Sequence, residues 1–260
     1  MNRRIRLLFR KVMAAMPLEY RYSLPEVTIK PLDLLLAAYD ARGEEITVLQ
    51  VGACDGTTND PIYHFIVKGA AKAVLLEPNP FAFVRLQRTY ASLANARLIE
   101  VAIGDHDGEA YLYRIKQTDK LDSEVDITLQ VASFSRKHLE KHGARPDTIE
   151  RIRVPCRTLS SLVTELGLTK IDLLQIDAEG FDAAVVRMAL NLPLRPDCIS
   201  FEHVHLATSD RGPLFDSLKA SGYCLGRDDW NILAMQTSLF DGLKNGRRES
   251  PHGQAGLTHA

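Results

Sequence analysis

The chain predicts an α/β fold built on a mostly parallel sheet. Three observations carry this. Short, almost continuously apolar runs alternate with segments of helical spacing, as in repeated right-handed βαβ units. The runs Ile46–Val51, Ala73–Leu76 and Ile171–Ile176 are uninterrupted enough to be covered by helices on both faces. Finally, acids stand where successive runs stop, at Asp55, Glu77, Asp105, Asp177, Glu179 and Glu202, along one edge of the implied sheet.

The first strand runs straight into the turn GACDG, residues 52–56. Gly52 and Gly56 permit a tight turn and close backbone approach to a ligand, and Asp60-Pro61 reads as an N-cap with proline opening the helix. Such a corner offers N–H groups and a helix N-terminus, although one glycine pair equally suits an ordinary strand-turn-helix connection.

The elements follow in order. Residues 1–42 form a basic N-terminal helical extension, with Arg3, Arg4, Arg6, Arg10 and Lys11 among apolar residues and a short helix over Pro31–Arg42. The basic segment is suited to pack on its own domain, to a homodimer or to an anionic membrane surface. Helix Pro61–Lys68, strand Ala73–Leu76 and a helix opened by Asn79-Pro80 come next, then a third strand, Arg97–Ile103, and a β segment, Glu109–Ile115. Residues 116–156 are less regular and are expected to be an insertion of the lid or substrate-loop kind. A helix over Thr158–Leu166 stops at Gly167. Strand Ile171–Ile176 leads through Asp177 and Glu179 to a helix opened by Gly180, and Cys198–Phe201 leads to Glu202, His203 and His205. Helix Leu214–Ala220 precedes a hairpin of Gly222–Leu225 and Asn231–Met235. The main domain is placed at 43–240, with a polar, mobile tail over 241–260.

Composition narrows the partners. With 32 basic and 33 acidic residues among 260, the net charge of −1 predicts no nucleic-acid binding from bulk electrostatics. The four cysteines lie far apart with no CxxC pair, which fits a reducing cytoplasm, and no apolar stretch is long enough to span a membrane. An acid after the second strand suits the two hydroxyls of a ribose, while the missing GxGxxG turn disfavours a dinucleotide. A nucleoside ligand without phosphates fits better.

The ordered set VLQVGACDG, VLLEPNP, VAIGDHDGEAYLY, VPCRTL, KIDLLQIDAEGFD and ISFEHVHL resembles the FkbM family of S-adenosylmethionine-dependent methyltransferases over roughly residues 46–235. The resemblance implies a Rossmann-like class I methyltransferase fold, with a seven-stranded sheet and a final antiparallel hairpin strand. It implies O-methyl transfer to a hydroxylated small-molecule or glycan acceptor. Gly52, Ala53, Asp55 and Gly56 would line the methionine end of S-adenosylmethionine, Glu77 would hold the ribose, Ala102, Ile103 and Asp105 would flank the adenine, and Asp177 would lie near the methyl group. Ala53 and Cys54 depart from the GxGxG of many such turns. His203 is the expected base, with His205, Asp177 and Glu179 behind it, and a divalent metal on Asp177, Glu202 and His203 is the alternative. Helix capping is the plainer reading of Asp177 and Glu179, and a hydrogen-bonded structural role that of either histidine. A methyltransferase-fold scaffold without catalysis is the rival function.

Overall fold

The computed structural model describes residues 30–116 and 132–245. The basic segment before residue 30, the first part of the expected insertion and the end of the polar tail lie outside the described residues.

Helix α1 (Pro31–Asp40) leads to β1 (Ile46–Val51), the short α2 (Tyr63–Val67), β2 (Ala71–Leu76), α3 (Pro80–Thr89) and β3 (Ala96–Ile99). The chain then leaves the main sheet for β4 (Ala102–Ile103), β5 (Gly108–Ile115), β6 (Ala132–Ser133), α4 (Arg136–Lys141) and β7 (Ile149–Arg157). It returns through α5 (Leu159–Glu165), β8 (Leu173–Ile176), α6 (Asp182–Leu190), β9 (Cys198–Glu202), α7 (Thr208–Ala220), the hairpin β10 (Tyr223–Arg227) and β11 (Asn231–Gln236), and α8 (Thr237–Asn245).

The main sheet has seven strands in the order β10-β11-β9-β8-β1-β2-β3, all parallel except β11, which is antiparallel to both its neighbours. This is the class I methyltransferase arrangement expected above. The order reverses at β1, between β2 and β8, so the loops after β1 and β8 part over a crevice at the carboxyl edge. Alternation divides the core. Leu49, Val51, Leu174, Ile176, Ile199 and Phe201 pack on one face with α5, α6 and α7, while Val48, Leu173 and Cys198 face α1 and α2 on the other.

Two expectations change. The predicted strand Arg97–Ile103 is two strands, since the chain crosses at Glu100 and Val101 from the main sheet to a second one. That second sheet, β4-β7-β5-β6, is where the described part of residues 116–156 goes. Strands β5 and β7 pair antiparallel from Gly108↔Cys156 to Ile115↔Ile149, so β7 is a regular strand whose partner lies about forty residues upstream. Arg114 ties this sheet to the end of β2. Its guanidinium pairs with Glu150 at 2.8 Å, donates to Asn79 Oδ1 at 3.0 Å and lies 4.4 Å from the centre of the Phe81 ring.

Candidate functional site

Two connected pockets open on the carboxyl edge. The narrower, about 120 Å³, is lined by Val51, Gly52 and Cys54 after β1, Glu77 and Pro78 after β2, Val101–Ile103, and Phe134 from the second sheet. The wider, about 580 Å³, is lined by Lys30 and Leu32 at the start of α1, Gln175, Ser200, Glu202, His142, His205, Trp230 and Asn231. Asn59, Asp177 and Glu179 belong to both walls and mark their junction.

The narrow pocket is shaped by backbone. Gly52 has φ +81°, and a Cβ there would run into the carbonyl oxygen of Asp177, so only glycine lets the ends of β1 and β8 approach this closely. Cys54, at φ 48°, occupies the left-handed region without being glycine, a conformation that costs on the order of 1–3 kcal/mol and is favoured at functional turns. Its N–H donates to Glu77 Oε2 at 2.8 Å, and Asn79 N–H donates to Glu77 Oε1 at 2.7 Å. These bonds aim the Glu77 carboxyl into the pocket. Burial pushes its pKa up to about 7, against the pull of the two N–H groups. Burial, then the charges of Glu77 and Asp55, push the Cys54 thiol upward, so it is a wall and no thiolate nucleophile.

The other expected cofactor residues divide. Ala102 and Ile103 line the narrow pocket, as does Asp177, and Ala53 is buried behind the turn. Asp55 braces the turn itself, accepting from Thr57 N, Thr58 N and Thr58 Oγ1 at 2.6–2.9 Å. Gly56 makes room for Tyr90 and Leu86. Asp105 points away into solvent and pairs with His106 at 2.7 Å, because the chain has already turned towards β5.

At the junction, Asp177 is open to the cleft yet ringed by protein. That enclosure, followed by the charges of Glu179, Asp182, Glu202 and Glu77, raises its pKa well above the carboxylate range. Neither Asp177 nor Glu179 caps α6, whose N-cap Phe181 makes no side-chain cap bond; Asp182 instead braces the preceding loop, its carboxylate accepting from Ala178 N at 3.4 Å and Gly180 N at 3.2 Å. Glu179 is held otherwise. It sits at φ 47°, its carbonyl accepts from Ser133 Oγ at 2.7 Å, and its Oε2 lies 3.0 Å from His138 Nε2.

The two histidines after β9 do not share a face, because the strand ends at Glu202 and the alternation with it. His203 is buried, with Nε2 3.2 Å from the Asp228 carbonyl, and its own carbonyl accepts from Arg211, so it joins the end of β9 to the β10–β11 turn and to α7. His205 lines the wider pocket, its Nε2 3.4 Å from Glu202 Oε2. Burial, then the neighbouring His142 and His138, lowers its pKa and leaves the imidazole neutral near pH 7. Burial pushes the Glu202 carboxyl up to about 7.

Two groups of site residues were not anticipated. His138 and His142 come from α4 and its C-cap, and their i, i+4 spacing inside KHLEKH was the available signal. Gln50, Gln175 and Ser200 lie side by side across β1, β8 and β9, with Gln50↔Gln175 and Gln175↔Ser200 in register. Their signal was a polar residue inside each otherwise apolar strand. All three are buried, and among the described residues Gln175 Oε1 and Ser200 Oγ have no hydrogen-bond partner.

A methyltransferase FkbM domain matches residues 50–221. The 2-O-methyltransferase NoeI of Sinorhizobium fredii is 28% identical over 139 residues, which is 54% of this chain and 55% of NoeI, so the match spans about half the length of that relative. Among solved structures, a methyltransferase FkbM from Methylobacillus flagellatus superposes with a TM-score of 0.44 at 12% identity, over 73% of this chain and 43% of that one. An O-methyltransferase from Bacillus cereus in complex with SAH gives 0.42 at 14%, over 87% and 88%. With the family domain covering well over half of its length, the chain belongs to the FkbM family of methyltransferases.

Proposed function

We propose that this methyltransferase uses S-adenosylmethionine and methylates a hydroxyl of a sugar-like or natural-product acceptor. The observation that carries the acceptor class is the polar floor of the wider pocket. Among the described residues Gln175 Oε1 and Ser200 Oγ are buried without partners, and a hydroxyl-rich ligand would satisfy both, whereas an apolar one would leave them desolvated and unpaired. Trp230, 59% exposed at the rim, adds a broad face for a sugar ring.

The narrow pocket fits the cofactor. Glu77 offers a buried carboxylate to the ribose hydroxyls, Val101, Ala102, Ile103 and Phe134 form an apolar slot for the adenine, and Gly52 leaves the backbone clear beside the methionine portion. The cofactor supplies a methyl group activated by a sulfonium. The chain's own residues do the rest. Gln175, Ser200 and Trp230 hold the acceptor so that its hydroxyl faces the junction, and such positioning accounts for much of the rate. His205 takes the hydroxyl proton as a neutral imidazole, and Glu202 at 3.4 Å steadies the resulting imidazolium.

The test couples calorimetry against S-adenosylhomocysteine with a methyl-transfer assay on a panel of hydroxylated sugars, aromatic alcohols and amines. Binding together with transfer to an alcohol supports the reading. Absence of binding to folded protein, or transfer only to amines, overturns it.

A further inference from the structure

We propose that His138, His142 and Glu179 form a site for a divalent transition-metal ion at the junction of the two pockets. The available donor atoms of the three residues all lie within 4.8 Å of one another, and His138 Nε2 and Glu179 Oε2 are 3.0 Å apart. That spacing suits two neighbouring ligands of one ion, each about 2.1 Å from it and close to a right angle apart.

Placement of the donors is built into the fold. The i, i+4 spacing puts His138 and His142 on one side of α4, with ring centres 4.4 Å apart. Glu179 arrives from the β8–α6 loop on the opposite side. Gly180 allows the approach, since a Cβ there would lie 2.8 Å from His138 Nδ1. The same proximity directs Nδ1 towards the loop and leaves Nε2 to the carboxylate. Ser133 Oγ fixes the Glu179 carbonyl, so the loop carrying the third donor is fastened to the second sheet, against which α4 with the other two packs.

The donor set also selects the ion. Two imidazoles and one carboxylate favour zinc, cobalt, nickel or iron over magnesium or calcium, which prefer oxygen. Three protein ligands leave coordination positions free. His142 and Glu179 both line the wider pocket, and the ring of His205 stands 4.5 Å from that of His142, so the open side faces the space assigned to the acceptor. An ion there would bind the acceptor oxygen and lower the pKa of its hydroxyl beside His205. This role rests on the methyl-transfer reading, whereas ion binding does not.

The experiment uses the full chain, freed of any affinity tag and stripped with EDTA, titrated with Co²⁺ alone and followed by its visible d–d absorption and by calorimetry. The expected result is one equivalent bound, with His142→Ala and His138→Ala each weakening binding by roughly a hundredfold or more and His64→Gln, on α2, leaving it unchanged. S-adenosylhomocysteine binding is measured on every variant. Retained cofactor binding in His142→Ala shows that the loss is local, since His142 is exposed and its removal opens no core cavity. Failure of folded wild type to bind Co²⁺ or Zn²⁺, or equal binding by His138→Ala, His142→Ala and wild type, overturns the site. A chain that binds Co²⁺ at these residues but methylates no alcohol keeps the site and sinks only the hydroxyl reading.

Discussion

The two pockets meet at Asp177, yet they are built in different ways. The narrow one is made from consecutive residues at strand ends, shaped by Gly52, the Cys54 turn and Glu77, and most of its hydrogen bonds span few residues or join neighbouring strands. The wide one gathers α1, α4, β8, β9 and the β10–β11 turn, and two of its buried polar atoms, Gln175 Oε1 and Ser200 Oγ, have no partner among the described residues. Local geometry thus shapes the narrow pocket, while long-range convergence shapes the wide one. Substitutions should separate the two.

The largest effect is expected at Gly52→Ala. The added Cβ has no room beside the Asp177 carbonyl and φ +81° is unfavourable for alanine, so the ends of β1 and β8 must part. A loss of about 3 kcal/mol in chemical denaturation is expected, with S-adenosylhomocysteine binding abolished. A variant that keeps both would show that this corner is not the cofactor wall.

Next is Glu77→Ala, which removes the carboxyl that accepts from Cys54 N–H and Asn79 N–H. Calorimetry should show S-adenosylhomocysteine affinity reduced by roughly a hundredfold, or about 3 kcal/mol, with the acceptor KM nearly unchanged. A change confined to the acceptor would reverse the assignment of the two pockets.

The same contrast explains what was legible in the sequence. The main sheet could be read because its strands are continuous apolar runs closed by glycine or acid, and Glu77, Gly52 and Asp177 fall where those runs end. The pairing of the second sheet could not, although Glu109–Ile115 read as a β segment, because β5 and β7 pair across an intervening α4 and residues 117–131. An irregular-looking stretch such as KQTD or PDTIE carries no sign of its partner. Strand alternation would put His203 and His205 on one face, but the strand stops at Glu202 and the two diverge. Asp105 was placed at a strand end that belongs to the small sheet. His138 and His142 carried helical spacing, but their approach to Glu179 is a tertiary fact.

A smaller effect concerns pH. The Glu77 carboxyl titrates near 7 in the fold against an ordinary value near 4.5, so it stabilises the fold fully only below about 4.5 and loses that contribution as pH rises through 7. Between pH 6 and 8 this amounts to roughly 1 kcal/mol of falling stability in the ligand-free protein. The lowered pKa values of His142 and His205 tilt the curve the other way, so the comparison is between slopes. Glutamine mimics the neutral carboxyl, so thermal midpoints of wild type and Glu77→Gln should lie closest at pH 6 and diverge towards pH 8, where only the wild type carries a buried charge. Parallel curves would mean that Glu77 is ionised throughout the range.

The smallest effect is the most discriminating for the wide pocket. Ser200 Oγ is buried without a partner among the described residues, so Ser200→Ala removes a desolvated hydroxyl at the expense of one small void. The ligand-free protein should gain about 0.5–1 kcal/mol, since an unsatisfied polar group costs more than the dispersion it contributes. Cofactor affinity should not move, and the acceptor KM should rise about fivefold as the floor loses a hydrogen bond to the substrate. A strong buried hydrogen bond would instead make the variant less stable, and an acceptor bound elsewhere would leave KM untouched. Stability and KM rising together would identify the open polar floor as a feature kept for the acceptor at some cost to the empty fold.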